Sequence, residues 1–388
     1  SILSFFLLLL PTGQASANNN DSIRLSLLTC APGEEIYSLF GHTAIRYENS
    51  SQGIDVVFNY GLFSFNTPNF IFRFSLGETD YQLGATDYER FAAEYAFFGR
   101  SVWQQTLNLT DEEKTELIRL LQENYRPENR VYRYNFFYDN CATRPRDKIE
   151  ESIAGKVIYP AEPQDGSLTF RDIVHQYCKG HPWARFGIDL CIGSEADQPI
   201  TQRQMMFAPF YLMDAFDGAQ IKGDSIQRPL ITANELIVDA TPEPDESDWM
   251  PTPLQCSLLL FILTAAATIY GIRRRTGLWG IDLFLFGIAG IVGCVLAFLA
   301  LFSQHPAVSS NFLLLVFHPG QLLFLPYIIY CVRKGKKCWY LTLNLAVLTL
   351  FIVLFPVIPQ RFDFAVVPLA LVLLIRSASN LIVTSKKK

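Results

Sequence analysis

The last third of the chain restricts what the rest can be. Between residues 254 and 385 lie five apolar segments, about 254–272, 279–302, 312–332, 338–356 and 362–383. Each is close to the ~20 residues that carry a helix across the hydrocarbon of a bilayer. There, only helices and closed barrels satisfy their own backbone polar groups. The expectation is an all-α membrane domain of five spanning helices. Basic residues are placed asymmetrically around it. Arg273-Arg274-Arg275 follows the first segment, Arg333-Lys334-Gly335-Lys336-Lys337 the third and Lys386-Lys387-Lys388 the fifth. The alternate loops, 303–311 and 359–363, hold only Arg361. Loops rich in Lys and Arg stay in the cytoplasm, so the C-terminus is expected there. Five crossings then put everything before residue 254 on the exported side.

The first residues point the same way. A short apolar run, Ser1 to Leu10, is followed by Ala15-Ser16-Ala17, which fits a small-residue cleavage site. Residues 1–17 read as the remnant of a signal peptide rather than an anchor, because the run is too short to span. Residues 18–240 have the ordinary charge of a soluble protein and form the expected exported domain. Residues 241–253, with Pro242-Glu243-Pro244-Asp245-Glu246, read as an acidic, proline-punctuated linker. The formal net charge of -5 gives no reason to expect nucleic acid as a partner.

Within the exported half, Ile23–Thr29 and Thr43–Tyr47 alternate as strands, and Ile54–Gly61 completes a hairpin with the second. Tyr81–Gly84 and Val102–Leu109 also read as strands, and Asp87–Phe98 as a helix. Thr110-Asp111-Glu112-Glu113 is a capping box, and Leu117, Leu120 and Leu121 share one helical face behind it. The class is α+β. Residues 66–76 and 155–250 carry no clear period.

Two residues carry the chemistry. Tyr134-Asn135-Phe136-Phe137-Tyr138-Asp139-Asn140 ends in a polar turn that delivers Cys141 to the start of a helix. A cysteine there sits in a positive end-field that favours the thiolate. Its base is sought in Phe40-Gly41-His42, where the histidine enters a strand. A Cys–His pair supplies a nucleophile and an acid–base group for acyl transfer. Each residue has a plainer reading: His42 as a hydrogen-bonded turn histidine, Cys141 as a disulfide partner in an oxidising compartment. Cys178 and Cys191 bracket a Gly-Pro-containing loop and are the expected disulfide, which leaves Cys30 as a buried thiol or as a partner for Cys141. A rival reading of His175, Cys178, His181 and Cys191 is a zinc site. The disulfide is preferred, because the spacing matches no standard module, and no metal is expected.

The order of His42 and Cys141 resembles lecithin:retinol acyltransferase-like proteins, permuted relatives of the papain-like NlpC hydrolases. In place of the histidine that follows their cysteine, Ala142-Thr143 stands here. A fuller resemblance is to the Lnb-type bacterial lipoprotein N-acyltransferase family. It is carried by Pro32-Gly33-Glu34-Glu35-Ile36-Tyr37-Ser38-Leu39-Phe40-Gly41-His42-Thr43-Ala44-Ile45-Arg46, by Asn59-Tyr60-Gly61, by Tyr134 to Arg144 and by the exported-domain-plus-five-spans layout. The resemblance implies an α+β papain-like exported domain and an inner-membrane location. It implies transfer of an acyl chain from a phospholipid donor, through a Cys141 thioester, to the N-terminal amine of a diacylglyceryl-cysteine lipoprotein, with no cofactor. His42 would be the base, and Asn59, Tyr60 or Asp55 the group that orients it. The Cys141 backbone amide is a candidate oxyanion donor. Asn140 would shape the turn, and Arg144 and Arg46 would meet a phosphate or pair on the surface. The aromatic runs around Phe63–Phe65, Phe70–Phe74 and Phe136-Phe137 would line a chain groove or fill core. In the membrane half His305 and Asn311 are candidates for headgroup or lipoprotein contact, and His318 for packing beside Pro319. The alternatives are a membrane-anchored cysteine hydrolase (amidase, peptidase or phospholipase) and a non-enzymatic envelope assembly factor.

Overall fold

The computed structural model describes residues 22–63, 68–161, 168–223, 227–240 and 250–385. The expected signal remnant, Phe65, the Pro242–Glu246 stretch and Lys386–Lys388 lie outside them. By internal contacts the chain forms two compact units. One is Ser1–Leu168 with Ile200–Glu246, and the other is Thr169–Pro199 with Ser247–Lys388.

The first unit is α+β. Its strands are β1 (Ile23–Cys30), β2 (His42–Asn49), β3 (Ile54–Leu62), β4 (Asp80–Asp87), β5 (Val102–Leu107), β6 (Val131–Arg133), β7 (Lys156–Ile158), β8 (Gln220–Lys222), β9 (Gln227–Pro229) and β10 (Ile231–Val238). Seven of them form one sheet in the order β10-β5-β1-β2-β3-β4-β6, and β7-β8-β9 form a second. All neighbouring pairs are antiparallel. The hairpin expected from the alternation is present, with Ala44 opposite Asn59 and Asn49 opposite Ile54. β1 lies on the other side of β2, with Cys30 opposite His42.

Side chains alternate across a strand, and both faces of the central strands are buried. Leu25, Leu27, Ile45 and Phe58 pack with Leu117 and Leu121 of the helix Asp111–Tyr125, Ile149 of the helix Thr143–Ser152 and Leu212 of the helix Pro209–Asp217. Leu28, Cys30, Ala44 and Val57 pack on the opposite face with Phe91 of the helix Tyr88–Phe97. Thr110 and Glu113 close the capping box reciprocally. The unassigned stretch after residue 66 holds a short helix, Phe70–Leu76, none of whose residues is buried.

The second unit departs from the sequence reading in two ways. The exported domain reads as one block over 18–240, yet Thr169–Pro199 groups with the apolar helices. The reason is polar. Arg171 of the helix Phe170–Tyr177 is fully buried. It donates to Asp197, to Asp189 of the helix Pro182–Cys191 and to the carbonyls of Ile192 and Gly193. This knot is fastened to two later loops. The Asn311 side-chain amide donates to the Leu190 carbonyl at 2.7 Å, and Gln360 donates to the Ile192 carbonyl. Arg361 pairs with Asp172 and Asp197.

The expected third span is also not one helix. Pro253–Arg274, Trp279–Phe302 and Val366–Ser385 are long and apolar enough to cross a membrane. Segment 312–332 instead breaks into two pieces, Phe312–Leu323 and Leu325–Lys334, bent by 74°. Pro319 and Pro326 stand at the starts of the helices Pro319–Leu323 and Leu325–Lys334, and proline interrupts the backbone ladder. A side chain on Gly293 would lie 2.4 Å from the His318 backbone nitrogen, so the bend is seated against bare backbone. Trp339–Leu354 is apolar but has only 16 residues.

Asp282 is buried with Arg376 of the last helix at 2.7 and 3.0 Å, and Arg376 also donates to Thr268. Removing one partner of a buried pair strands the other charge. Asp282→Ala should therefore destabilise the protein in detergent micelles by about 3–5 kcal/mol. The double variant D282L/R376L should recover most of that loss, as measured by thermal unfolding.

Candidate functional site

The turn that delivers Cys141 is built by Asn140. Its side-chain oxygen accepts from the backbone N–H groups of Ala142 and Thr143 at 2.8 and 2.9 Å. Its side-chain nitrogen donates to the carbonyls of Phe136 and Phe207, both at 2.8 Å. Thr143 Oγ1 accepts from the Asn140 backbone N–H at 2.8 Å. All four directions of the Asn140 amide are thus spent on the turn and on the loop that carries Phe207, which leaves none for a base. Asn and Thr three apart suit a helix start for this reason.

Cys141 sits two residues before the first residue of that helix and is partly buried. Three donors meet its sulfur: the backbone N–H of Thr43, its own backbone N–H and the Tyr134 hydroxyl. Thr43 directly follows His42 in β2, so the helix start and the strand start are joined at the sulfur. Gly61, at the far end of β3, also closes on this point. Its φ is +89°, and a Cβ built on it would lie 3.5 Å from Cys141 Cβ.

His42 opens β2, and Gly41 before it has a φ of +77°. A Cβ on Gly41 would come within 2.5 Å of the Cys30 carbonyl, so only glycine lets the chain turn into the strand there. The ring's Nε2 lies 3.2 Å from Asn59 Oδ1. With Asn59 accepting, Nε2 carries the proton and Nδ1 is left as the basic nitrogen. Of the three candidates for this position, the pleat selects one. Asn59 and Tyr60 face opposite sides of β3, and the Tyr60 hydroxyl donates to Asn124 at 2.9 Å. Asp55 is held by Arg46 through two hydrogen bonds.

The electrostatics correct one expectation. The helix start was expected to favour the thiolate. Burial outweighs it and pushes the Cys141 thiol up to about 11, against the three donors that pull it down. Burial likewise lowers His42 to about 4; the Asn59 hydrogen bond opposes this and the nearby Arg100 adds to it. At neutral pH Cys141 is thus a thiol and His42 a neutral imidazole able to take a proton.

Other expected residues have different occupations. Arg144 forms a two-point pair with Asp139 at 2.6 and 2.7 Å and lies over the Tyr132 ring. Arg46 pairs with Asp55 and Gln104 and lies over Tyr88. Cys30, Cys141, Cys178 and Cys191 are all free thiols, so the expected Cys178–Cys191 disulfide is not formed. Cys191 ends its helix while Cys178 caps the preceding one. No metal-binding group occurs among the described residues, and His175 is bonded to Asp189 at 2.9 Å. Asn311 is spent on Leu190, Leu313 and Gln360. The His305 backbone N–H donates to Ser303 Oγ. His318 starts the bent helix and meets Asn344. Phe136 and Phe137 pack on Phe40 and Phe207 as core, whereas Ile71, Phe72 and Phe74 are exposed.

Sequence reasoning does not single out Tyr134 or Tyr132. The signal is the spacing Tyr132-x-Tyr134 in an extended approach to Cys141, which sends both rings the same way.

Two family models match the chain. One, described as the Lnb N-terminal periplasmic domain, covers residues 13–175, and one described as the Lnb transmembrane domain covers residues 245–388. No curated protein and no solved structure matches it.

The neutral pair has two measurable consequences. The unfolded chain protonates His42 near 6.5 and the folded one near 4. That contribution to stability is complete above about pH 6.5 and is lost as pH falls towards 4. The loss is at most about 3 kcal/mol, since part of the ring meets solvent. His42→Gln should flatten this part of the stability profile, as followed by denaturant unfolding. Alkylation of Cys141 by iodoacetamide should keep rising with pH beyond 9 instead of levelling off.

Proposed function

The chain belongs to the Lnb family, a membrane protein with a periplasmic domain, and on that premise we propose that it is a thiol acyltransferase of lipoprotein maturation. The observation that supports this reading is that Thr43, the residue after His42, gives its backbone N–H to the Cys141 sulfur while His42 is bonded to Asn59. A nucleophile, a base and a group that orients the base are the three parts that acyl transfer requires.

In the first half-reaction His42 Nδ1 takes the thiol proton as Cys141 Sγ attacks an ester carbonyl of a phospholipid. The tetrahedral adduct collapses to a thioester, and the proton on His42 goes to the departing oxygen of the lysophospholipid. In the second half-reaction the α-amine of a diacylglyceryl-cysteine lipoprotein attacks the thioester. His42 accepts the amine proton and returns it to the leaving sulfur. An amide is formed and the thiol is restored. Asn59 keeps Nδ1 directed at the sulfur throughout. A partly buried thiol beside packed aromatic rings suits transfer better than an open one would, because the thioester must outlive encounters with water.

The placement of the three basic clusters supports export of the Cys141 domain and a cytoplasmic C-terminus. In an inner membrane, both substrates then lie in the same leaflet as the tethered domain, which raises their effective concentration.

Mass spectrometry of lipoprotein N-termini tests the reading. Deleting the protein should leave diacylated termini with a free amine, and restoring it should add one acyl chain. Cys141→Ser and His42→Ala should each abolish the added mass, and unchanged acylation on deletion would defeat the proposal. Asn59→Ala should slow transfer by roughly 10–100-fold, less than loss of the base itself.

A further inference from the structure

A phenol hydroxyl at the site has nothing to bond. Tyr132 lies on β6, opposite Tyr81 of β4, and is 7% exposed. Its hydroxyl is buried and makes no hydrogen bond. Such an orphan costs free energy in a folded protein and calls for an explanation. The neighbouring tyrosines are provided for, since Tyr60 donates to Asn124 and Tyr134 donates to Cys141.

The orphan sits at a small cradle beside the nucleophile. The position that a Cβ on Gly61 would fill is 3.5 Å from Cys141 Cβ, 3.7 Å from Tyr134 Cε2 and 3.9 Å from the Tyr132 hydroxyl oxygen. Because residue 61 is glycine, the space stays open. The Arg144 guanidinium lies 3.5 Å from the centre of the Tyr132 ring and is itself fixed by Asp139. The ring is therefore clamped, and a cation stands behind it. Burial, and then the nearness of Cys141, keep the phenol well above its ordinary pKa, so it remains a donor. The resting site has already given the Thr43 and Cys141 backbone donors to the sulfur.

We infer that the Tyr132 hydroxyl is the side-chain donor to the oxyanion that forms when Cys141 attacks an acyl carbonyl. The inference rests on the acyl-transfer reading above. As the S–C bond forms, the carbonyl π pair moves onto oxygen, and Tyr132 gives that oxygen a hydrogen bond without losing its proton. When the adduct collapses, the C=O bond is restored, the C–O bond to the leaving group breaks, and Tyr132 is an orphan again. A donor unpaired in the ground state and paired in the adduct favours the transition state selectively.

The test uses the full-length protein in detergent micelles with p-nitrophenyl octanoate as the acyl probe. Three readouts are taken: the nitrophenolate burst with the intact mass of the Cys141 thioester, the iodoacetamide alkylation rate of Cys141, and Tm. For Tyr132→Phe we expect acylation to fall by roughly 10²–10³-fold. The alkylation rate should be unchanged, because that reaction has no oxyanion, and Tm should be equal to or above wild type, because an unpaired buried hydroxyl has gone. Acylation at the wild-type rate in Tyr132→Phe would overturn the inference and leave the acyltransferase reading intact. So would a parallel loss of acylation, alkylation and Tm, which marks a packing role. A wild-type protein with no burst dependent on Cys141 would sink the acyl-transfer reading and this inference together.

Discussion

The hydrogen bond from the Thr43 backbone to the Cys141 sulfur is the contact on which the site depends. It ties two pieces almost a hundred residues apart, each positioned by its own local chemistry. Upstream, Gly41 turns the chain into β2 where any side chain would strike the Cys30 carbonyl. Downstream, Asn140 spends its whole amide on the turn that presents the cysteine. Neither device is strong alone, since a net hydrogen bond contributes only about 1 kcal/mol. Together they leave the sulfur no alternative place. The sheet supplies the rigidity: β2 is paired on both sides, and both of its faces are packed.

Burial then decides the protonation state of the pair. In many thiol sites a thiolate–imidazolium ion pair is the resting form. Here desolvation acts on both partners in the direction of neutrality, raising the thiol and lowering the imidazole. On the proposed acyl-transfer reading, charge would appear only as the sulfur attacks, so the site would meet it with groups already in place. The three donors at the sulfur, and the Arg144–Tyr132 stack beside it, are fixed dipoles and charges of that kind.

Much of this was legible in the chain. The β2–β3 hairpin follows from alternation in Thr43–Tyr47 and Ile54–Gly61, and the Thr110 capping box from its spacing. The placement of His42 at the start of a strand and of Cys141 just before a helix follows from the local sequence. The choice among Asn59, Tyr60 and Asp55 was not legible. It turns on which face of β3 each occupies and on Asn124 and Arg46, residues that sequence order does not place nearby. The direction of the Cys141 shift was misread for a related reason: a helix start is a local feature, whereas burial is a property of the whole fold. Cys178 and Cys191 illustrate the same limit. Their spacing allows a bridge, but the helices Phe170–Tyr177 and Pro182–Cys191 leave them unpaired.

The second unit shows that internal contacts and composition draw different lines through the chain. Apolar length marks where a chain enters a bilayer, so the reading divides the protein at residue 241. The contacts that carry Thr169–Pro199 across that line are polar: buried Arg171 with two aspartates, Asn311 and Gln360 on open carbonyls, Arg361 on Asp172 and Asp197. In sequence these are scattered charged and amide residues of ordinary surface type. Their meaning appears only when Arg171 is found fully buried, since a buried guanidinium must have its partners around it. Asn311 and Arg361, which read as candidates for lipid contact or as a stray cation in a loop, are thereby the fasteners of an extramembrane segment to the membrane helices' own loops.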